Sequence, residues 1–179
     1  MAQRLVDAVA VREGESVLEI GGGVGEIEIE LLRSGAKRAT NVELSAAYEG
    51  QGRTLVEEAG LEDRIEWRYG DIAADRELAP PADVVVLNRV VCCYPDVQAL
   101  VGAAAEKTQR ALALSFPRNI WLIRTAAVAI NLWFRIRRSD FRFFVHSPES
   151  IVATARDGGL NLVHEHLGRF WQIAALERV

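Results

Sequence analysis

The chain alternates short apolar runs with segments of helical period. SVLEI (16–20), RATNVEL (38–44), RIEWRYG (64–70), ADVVVLN (82–88) and RALALSF (110–116) read as strands. ADVVVLN is apolar nearly throughout, as a strand covered on both faces should be. Between them lie helical stretches. VGEIEIELLRSG (24–35) is stopped by Gly35, a second helix runs from a Ser45 cap to about Gly60, and a third runs from Asp96 to about Lys107. Residues 2–10 suit a short leading helix, and SPESIVATARDGG (147–159) a capped helix with a glycine stop. LNLVHEHL (160–167) and FWQIAALERV (170–179) close the pattern as two strands near enough to pair antiparallel. Strands alternating with helices predict an α/β fold: a doubly wound, mostly parallel seven-stranded sheet with helices on both faces and an antiparallel C-terminal strand. Ligands of such sheets sit at the carboxyl ends of the strands.

The segment 117–146, PRNIWLIRTAAVAINLWFRIRRSDFRFFVH, interrupts this rhythm as a helical insertion. On a helix, Arg124, Asn131, Arg135 and Arg138 share a stripe, while Trp121, Leu122, Ile130, Trp133 and Phe134 lie elsewhere. Its apolar sector is wider than one contact with a sheet requires. Three readings are open: a core helix covering the domain, a lid or homodimer contact over an apolar acceptor, and a helix lying in a membrane surface through 119–138.

At 179 residues the chain is expected to form one domain. Half the residues are hydrophobic and 26% charged, within the globular range. No run approaches the roughly 18 apolar residues of a membrane span, and residues 1–15 lack a secretory signal, so a cytoplasmic location is expected. The net charge of −4 argues against nucleic acid as a partner. Charge is uneven, net −8 over 1–116 and net +4 over 117–179. The two cysteines, Cys92 and Cys93, are neighbours, a poor disulfide geometry, and no spacing suggests a metal site.

The candidate chemistry lies in VLEIGGGVGEIEIELL (17–32). No lysine follows the glycines, which excludes a Walker phosphate loop. The third position of a dinucleotide fingerprint is Glu26, and with Glu28 and Glu30 it sets acids where a pyrophosphate would lie. The turn instead reads Glu19-x-Gly21-x-Gly23-x-Gly25, an acid followed by alternating glycines, with Gly22 between. Here the chain resembles the class I S-adenosylmethionine-dependent methyltransferases, whose first motif is D/E-x-G-x-G-x-G after strand one. That resemblance implies a phosphate-free, cationic cofactor, with Glu19 holding its ammonium and the glycines its methionine part. Glu43, with Leu44 after it, would accept the ribose hydroxyls, and Asp71 the adenine amino group, with Ile72 on the ring. Asn88 and Arg89 would border the cofactor.

After strand four the sequence is LNRVVCCYPD (87–96). It lacks the D/N-P-P-Y/F of family members that modify nucleic-acid or protein amide nitrogens, and is closer to small-molecule methyltransferases. It is similar to magnesium-protoporphyrin O-methyltransferase-type sequences, with Cys92 and Cys93 where two histidines often stand. Cys92, Cys93 and Tyr94 are the expected acceptor pocket, and His146 a candidate general base. His164 and His166 read as ordinary strand residues. Only about 14 residues precede strand one, so a cofactor-covering lid is expected to be absent, truncated or supplied by a partner. The rival readings are an NAD-dependent oxidoreductase or epimerase, and a cofactor-binding protein without chemistry.

Overall fold

A computed structural model describes residues 2–178. Helix α1 (Ala2–Val9) leads into β1 (Ser16–Ile20), α2 (Glu26–Arg33), β2 (Arg38–Glu43), α3 (Glu49–Glu58) and β3 (Ile65–Tyr69). Then follow β4 (Ala82–Asn88), α4 (Val97–Lys107), β5 (Thr108–Pro117), α5 (Trp121–Ile136), α6 (Pro148–Asp157), β6 (Leu160–Leu167) and β7 (Trp171–Arg178). The seven strands form one sheet in the order β3-β2-β1-β4-β5-β7-β6. β1 to β5 run parallel, and β7 is antiparallel to both β5 and β6.

The order reverses at β1, which lies between β2 and β4. The crevice beyond β1 is therefore the place such a sheet offers a ligand. Two apolar layers clamp the sheet. Leu18, Val85, Leu87 and Leu112 point to the side covered by α4 and α6, and Val17, Val84, Val86 and Ala113 to the side covered by α1 and α2. Strand alternation sends neighbouring residues to opposite layers, so β4 must be apolar on both faces.

Boundaries follow local chemistry. α2 starts at Glu26, later than the pattern suggested, because Gly25 sits at φ 84 as its N-cap. Ser45 caps a short 3-10 turn, Ala46–Tyr48, and α3 starts only after it. Asp96 caps α4, accepting from Ala99 N at 2.9 Å. Ser147 caps α6, with Pro148 in the first turn.

The core-helix reading of the insertion is corrected. Of the sixteen residues of α5 only Ile123 and Ala127 are buried. Asn131 also faces the body, where its Nδ2 donates to Phe143 O and its Oδ1 accepts from Phe143 N, both at 2.8 Å. Trp121, Leu122, Val128, Leu132, Trp133 and Ile136 are exposed. Among the described residues no helix is long and apolar enough to cross a membrane.

Candidate active site

The main cavity, about 510 Å³, opens at the carboxyl ends of β1, β2, β3 and β4. Its size is that of a small-molecule site. The glycine turn forms its floor. Gly21 (φ 69) and Gly23 (φ 56) both adopt the left-handed conformation that glycine alone enters freely. A side chain on Gly21 would strike Val90, and one on Gly22 the amide of Asn41, whereas the space over Gly23 is open. The turn is thus pressed against its neighbours below and clear above.

Two acids stand on the wall at successive strand ends. Glu43 closes β2, accepting from Gly23 N through Oε2 and from Ser45 N through Oε1, each at 3.0 Å. Asp71 follows β3. Its Oδ1 accepts from Ala73 N at 2.9 Å and its Oδ2 from the Tyr94 hydroxyl at 2.8 Å. Burial first, and then that bond to Asp71, pushes the Tyr94 phenol up to about 12. Ile72 is buried beside Asp71 and lines the cavity. Arg89, at φ 60, brings a cation to the wall and lies 5.2 Å over the Trp171 ring. Cys93 also faces the cavity. Its Sγ lies 3.6 Å from Cys92 Sγ, and the hydrogen bond from that neighbour lowers the Cys93 thiol to about 7. Among the described residues no group of three or more His, Cys, Asp or Glu is placed to hold a metal ion.

The structure brings Gly21, Gly22, Gly23, Glu43, Leu44, Asp71, Ile72, Arg89, Cys93 and Tyr94 onto this wall. Glu19, Gly25, Asn88, Cys92 and His146 stay off it. Glu19 turns under α2, fully buried, where Oε2 accepts from Glu28 N at 3.1 Å. Burial first, and then the Glu28 charge, holds its carboxyl well above the ordinary range. Gly25 is spent on capping α2. Asn88 Oδ1 accepts from Ser115 Oγ, which itself accepts from Arg89 N, so Asn88 fixes the backbone that presents Arg89. Cys92 is buried behind Cys93. The hydrogen bond joining His146 Nε2 to Tyr94 O at 2.9 Å holds the returning chain against the cysteine loop, as does Phe144 N donating to Cys92 O at 2.7 Å.

The wall also contains Ser45, Tyr48, Val90 and Phe141, which sequence reasoning missed. Ser45 and Tyr48 follow Glu43 directly, so strand-end logic would have reached them. Phe141 comes from the far end of the insertion and carried no signal.

The sequence profile described as "Methyltransferase domain" matches residues 1–165. The chain belongs to the class I S-adenosylmethionine-dependent methyltransferases. It is 33% identical over 73 residues to the ubiquinone/menaquinone biosynthesis C-methyltransferase UbiE of Roseobacter denitrificans, a stretch covering 40% of this chain and 29% of that protein. Less than a third of that relative's length is therefore matched. The fold is similar to magnesium protoporphyrin IX methyltransferase (ChlM) from Synechocystis PCC 6803 with bound SAH, with TM-score 0.79 and 21% identity over 99% of this chain and 83% of that one. It is also similar to geranyl diphosphate C-methyltransferase from Streptomyces coelicolor A3(2), with TM-score 0.75 and 16% identity over 99% and 79% of the two chains. At these identities the likeness is one of fold.

Proposed function

We propose that this chain transfers the methyl group of S-adenosylmethionine to a small acceptor that enters past Cys93, Tyr94 and Phe141. The single observation behind this reading is the cavity itself, with a glycine floor open above Gly23 and Glu43 and Asp71 one strand apart on its wall. The cofactor fits this lining. A sulfonium and an adenosine favour acids and apolar surface, and the cavity wall supplies two carboxylates, one arginine and mostly apolar side chains. A pyrophosphate would face Glu43 at the strand end and Glu26 at the helix start.

When bound, the cofactor supplies a methyl carbon already activated by the neighbouring sulfonium. The residues of the chain then position and desolvate. Glu43 faces the ribose while keeping its hold on Gly23 N and Ser45 N. Asp71, oriented by Ala73 N and Tyr94, faces the adenine edge. Glu19 acts one step back, as a positioning residue, by fixing the first turn of α2 beneath the glycines. On the acceptor side His146 Nε2 is engaged with Tyr94 O and the Tyr94 phenol is held at about 12, which leaves the weakly basic Cys93 thiol, at about 7, to take a proton. An acceptor needing little activation suits such a wall, and a carboxylate, ionised at neutral pH, is one. Arg89, which meets no carboxylate of its own among the described residues, favours an acceptor carrying negative charge.

Calorimetry with S-adenosylhomocysteine and with NAD is the direct test. Binding of the first and not the second is expected, followed by a product one CH2 heavier when host extract is supplied with S-adenosylmethionine. NAD binding alone would remove the proposal. Cofactor binding with no product from any acceptor would favour a protein without chemistry.

A further inference from the structure

α5 is inverted relative to an ordinary surface helix. It rests on the body through a narrow stripe of Ile123, Ala127 and Asn131, two apolar contacts and one polar. The opposite face, turned to solvent, carries Trp121, Val128, Leu132, Trp133 and Ile136, each more than half exposed. An exposed apolar face of this length marks an interaction surface. Two tryptophans stand near its ends, 12 residues or about 18 Å apart along the axis.

Charge decides between the occupants. Residues 117–146 contain six arginines and one acid, Asp140, whereas the rest of the chain is net −9. Arg124 and Arg135 edge the apolar face, and Arg137 and Arg138 follow its end. None of these four meets a carboxylate among the described residues. A two-fold pairing of α5 with a second copy would be self-complementary. Centred on the helix, it would set Arg124 of one copy beside Arg135 of the other with no acid between them. A surface of anionic lipid meets both demands at once, taking the apolar side chains below its headgroups and the guanidinium groups at its phosphates.

We propose that the outward face of α5 seats this protein on an anionic bilayer surface, with the helix lying flat in the headgroup boundary. The helix is too short and too charged to span. Phe141, just beyond it, lines the main cavity, so the seated protein would hold its cavity mouth beside the lipid.

Flotation of the whole chain with phosphatidylcholine vesicles, with and without phosphatidylglycerol, tests this. The chain is expected to float with the anionic vesicles, less so at high salt. Arg124→Glu with Arg135→Glu should weaken binding by at least roughly 30-fold, since each arginine near such a surface contributes about fivefold. Trp121→Ser with Trp133→Ser should also release it. Thermal unfolding and S-adenosylhomocysteine binding of both variants should match the parent, so a failure of the cofactor reading would show separately. Equal flotation of the arginine variant, or no flotation of the parent, overturns the proposal. So does a dimer in sedimentation that dissociates on the tryptophan changes, which would make a second copy the occupant.

Discussion

Replacing Glu28 by Gln should stabilise the protein, and increasingly so as pH rises. Glu28 is fully buried in α2, its Oε1 accepting from Asn41 Nδ2 at 3.2 Å. Its Oε2 and Asn41 Oδ1 have no partner. A proton on the carboxyl creates the donor these two acceptors lack, and a carboxylate cannot. Burial, opposed by the Asn41 bond, raises the Glu28 carboxyl from 4.5 to about 7. The folded state thus binds this proton more tightly than the unfolded chain. The stabilisation is complete below about pH 4.5 and is lost as pH climbs through about 7. Two and a half pH units at 1.36 kcal/mol each give roughly 3 kcal/mol. Urea unfolding of the parent and Glu28→Gln at pH 5 and pH 8 reads the effect. The two should differ little at pH 5, and the variant should be the more stable by up to roughly 3 kcal/mol at pH 8. Taking the difference cancels groups common to both chains except Glu19, whose carboxyl the Glu28 charge itself helps to raise. A difference that does not change between the two pH values would refute the buried-proton argument.

Removing the Glu43 carboxylate with Glu43→Ala should weaken S-adenosylhomocysteine binding roughly 10- to 100-fold in calorimetry, the worth of a charge-assisted hydrogen bond. The Cys93 thiol should react with iodoacetamide with a midpoint near pH 7. Cys92→Ala, which removes the bond lowering it, should move that midpoint upward, as followed by mass spectrometry. Asn131→Ala strips both hydrogen bonds from Phe143 and should cost about 1–2 kcal/mol in urea unfolding. It should also speed trypsin cleavage between α5 and α6.

The parallel half of the sheet was legible because β1, β4 and β5 carry apolar runs and β1 to β3 end at a glycine or an acid. The glycine turn was legible because its spacing excludes phosphate. The place of Glu19, buried beneath that turn and off the cavity wall, was not legible. Nothing in its spacing says which layer its side chain enters, and burial with Glu28 decides it. The partner of His146 was hidden for a related reason: Tyr94 O is a backbone atom of a loop 52 residues away. In α5 the pattern revealed a broad apolar sector, yet the body takes the stripe of Ile123, Ala127 and Asn131 instead. Hydropathy ranks the Trp and Leu face higher, and the Phe143 backbone, claimed by Asn131, joins the burial of Ile123 and Ala127 in fixing which way the helix turns. The C-terminal strands carried an unused clue. WQIAAL is nearly continuous in apolar character and takes the interior place, while LNLVHEHL carries charge and takes the edge.

That placement bears on how the polypeptide is made. β6 bonds to β7 alone, and β7 is the later of the two to leave the ribosome. Until Trp171–Arg178 has emerged, β6 has nowhere to dock, and the backbone edge of β5 from Ala111 to Pro117 stays unpaired. Vectorial synthesis therefore delivers the central keystone of one half of the sheet last, and a nascent chain stalled before Trp171 should be a client for holdase chaperones.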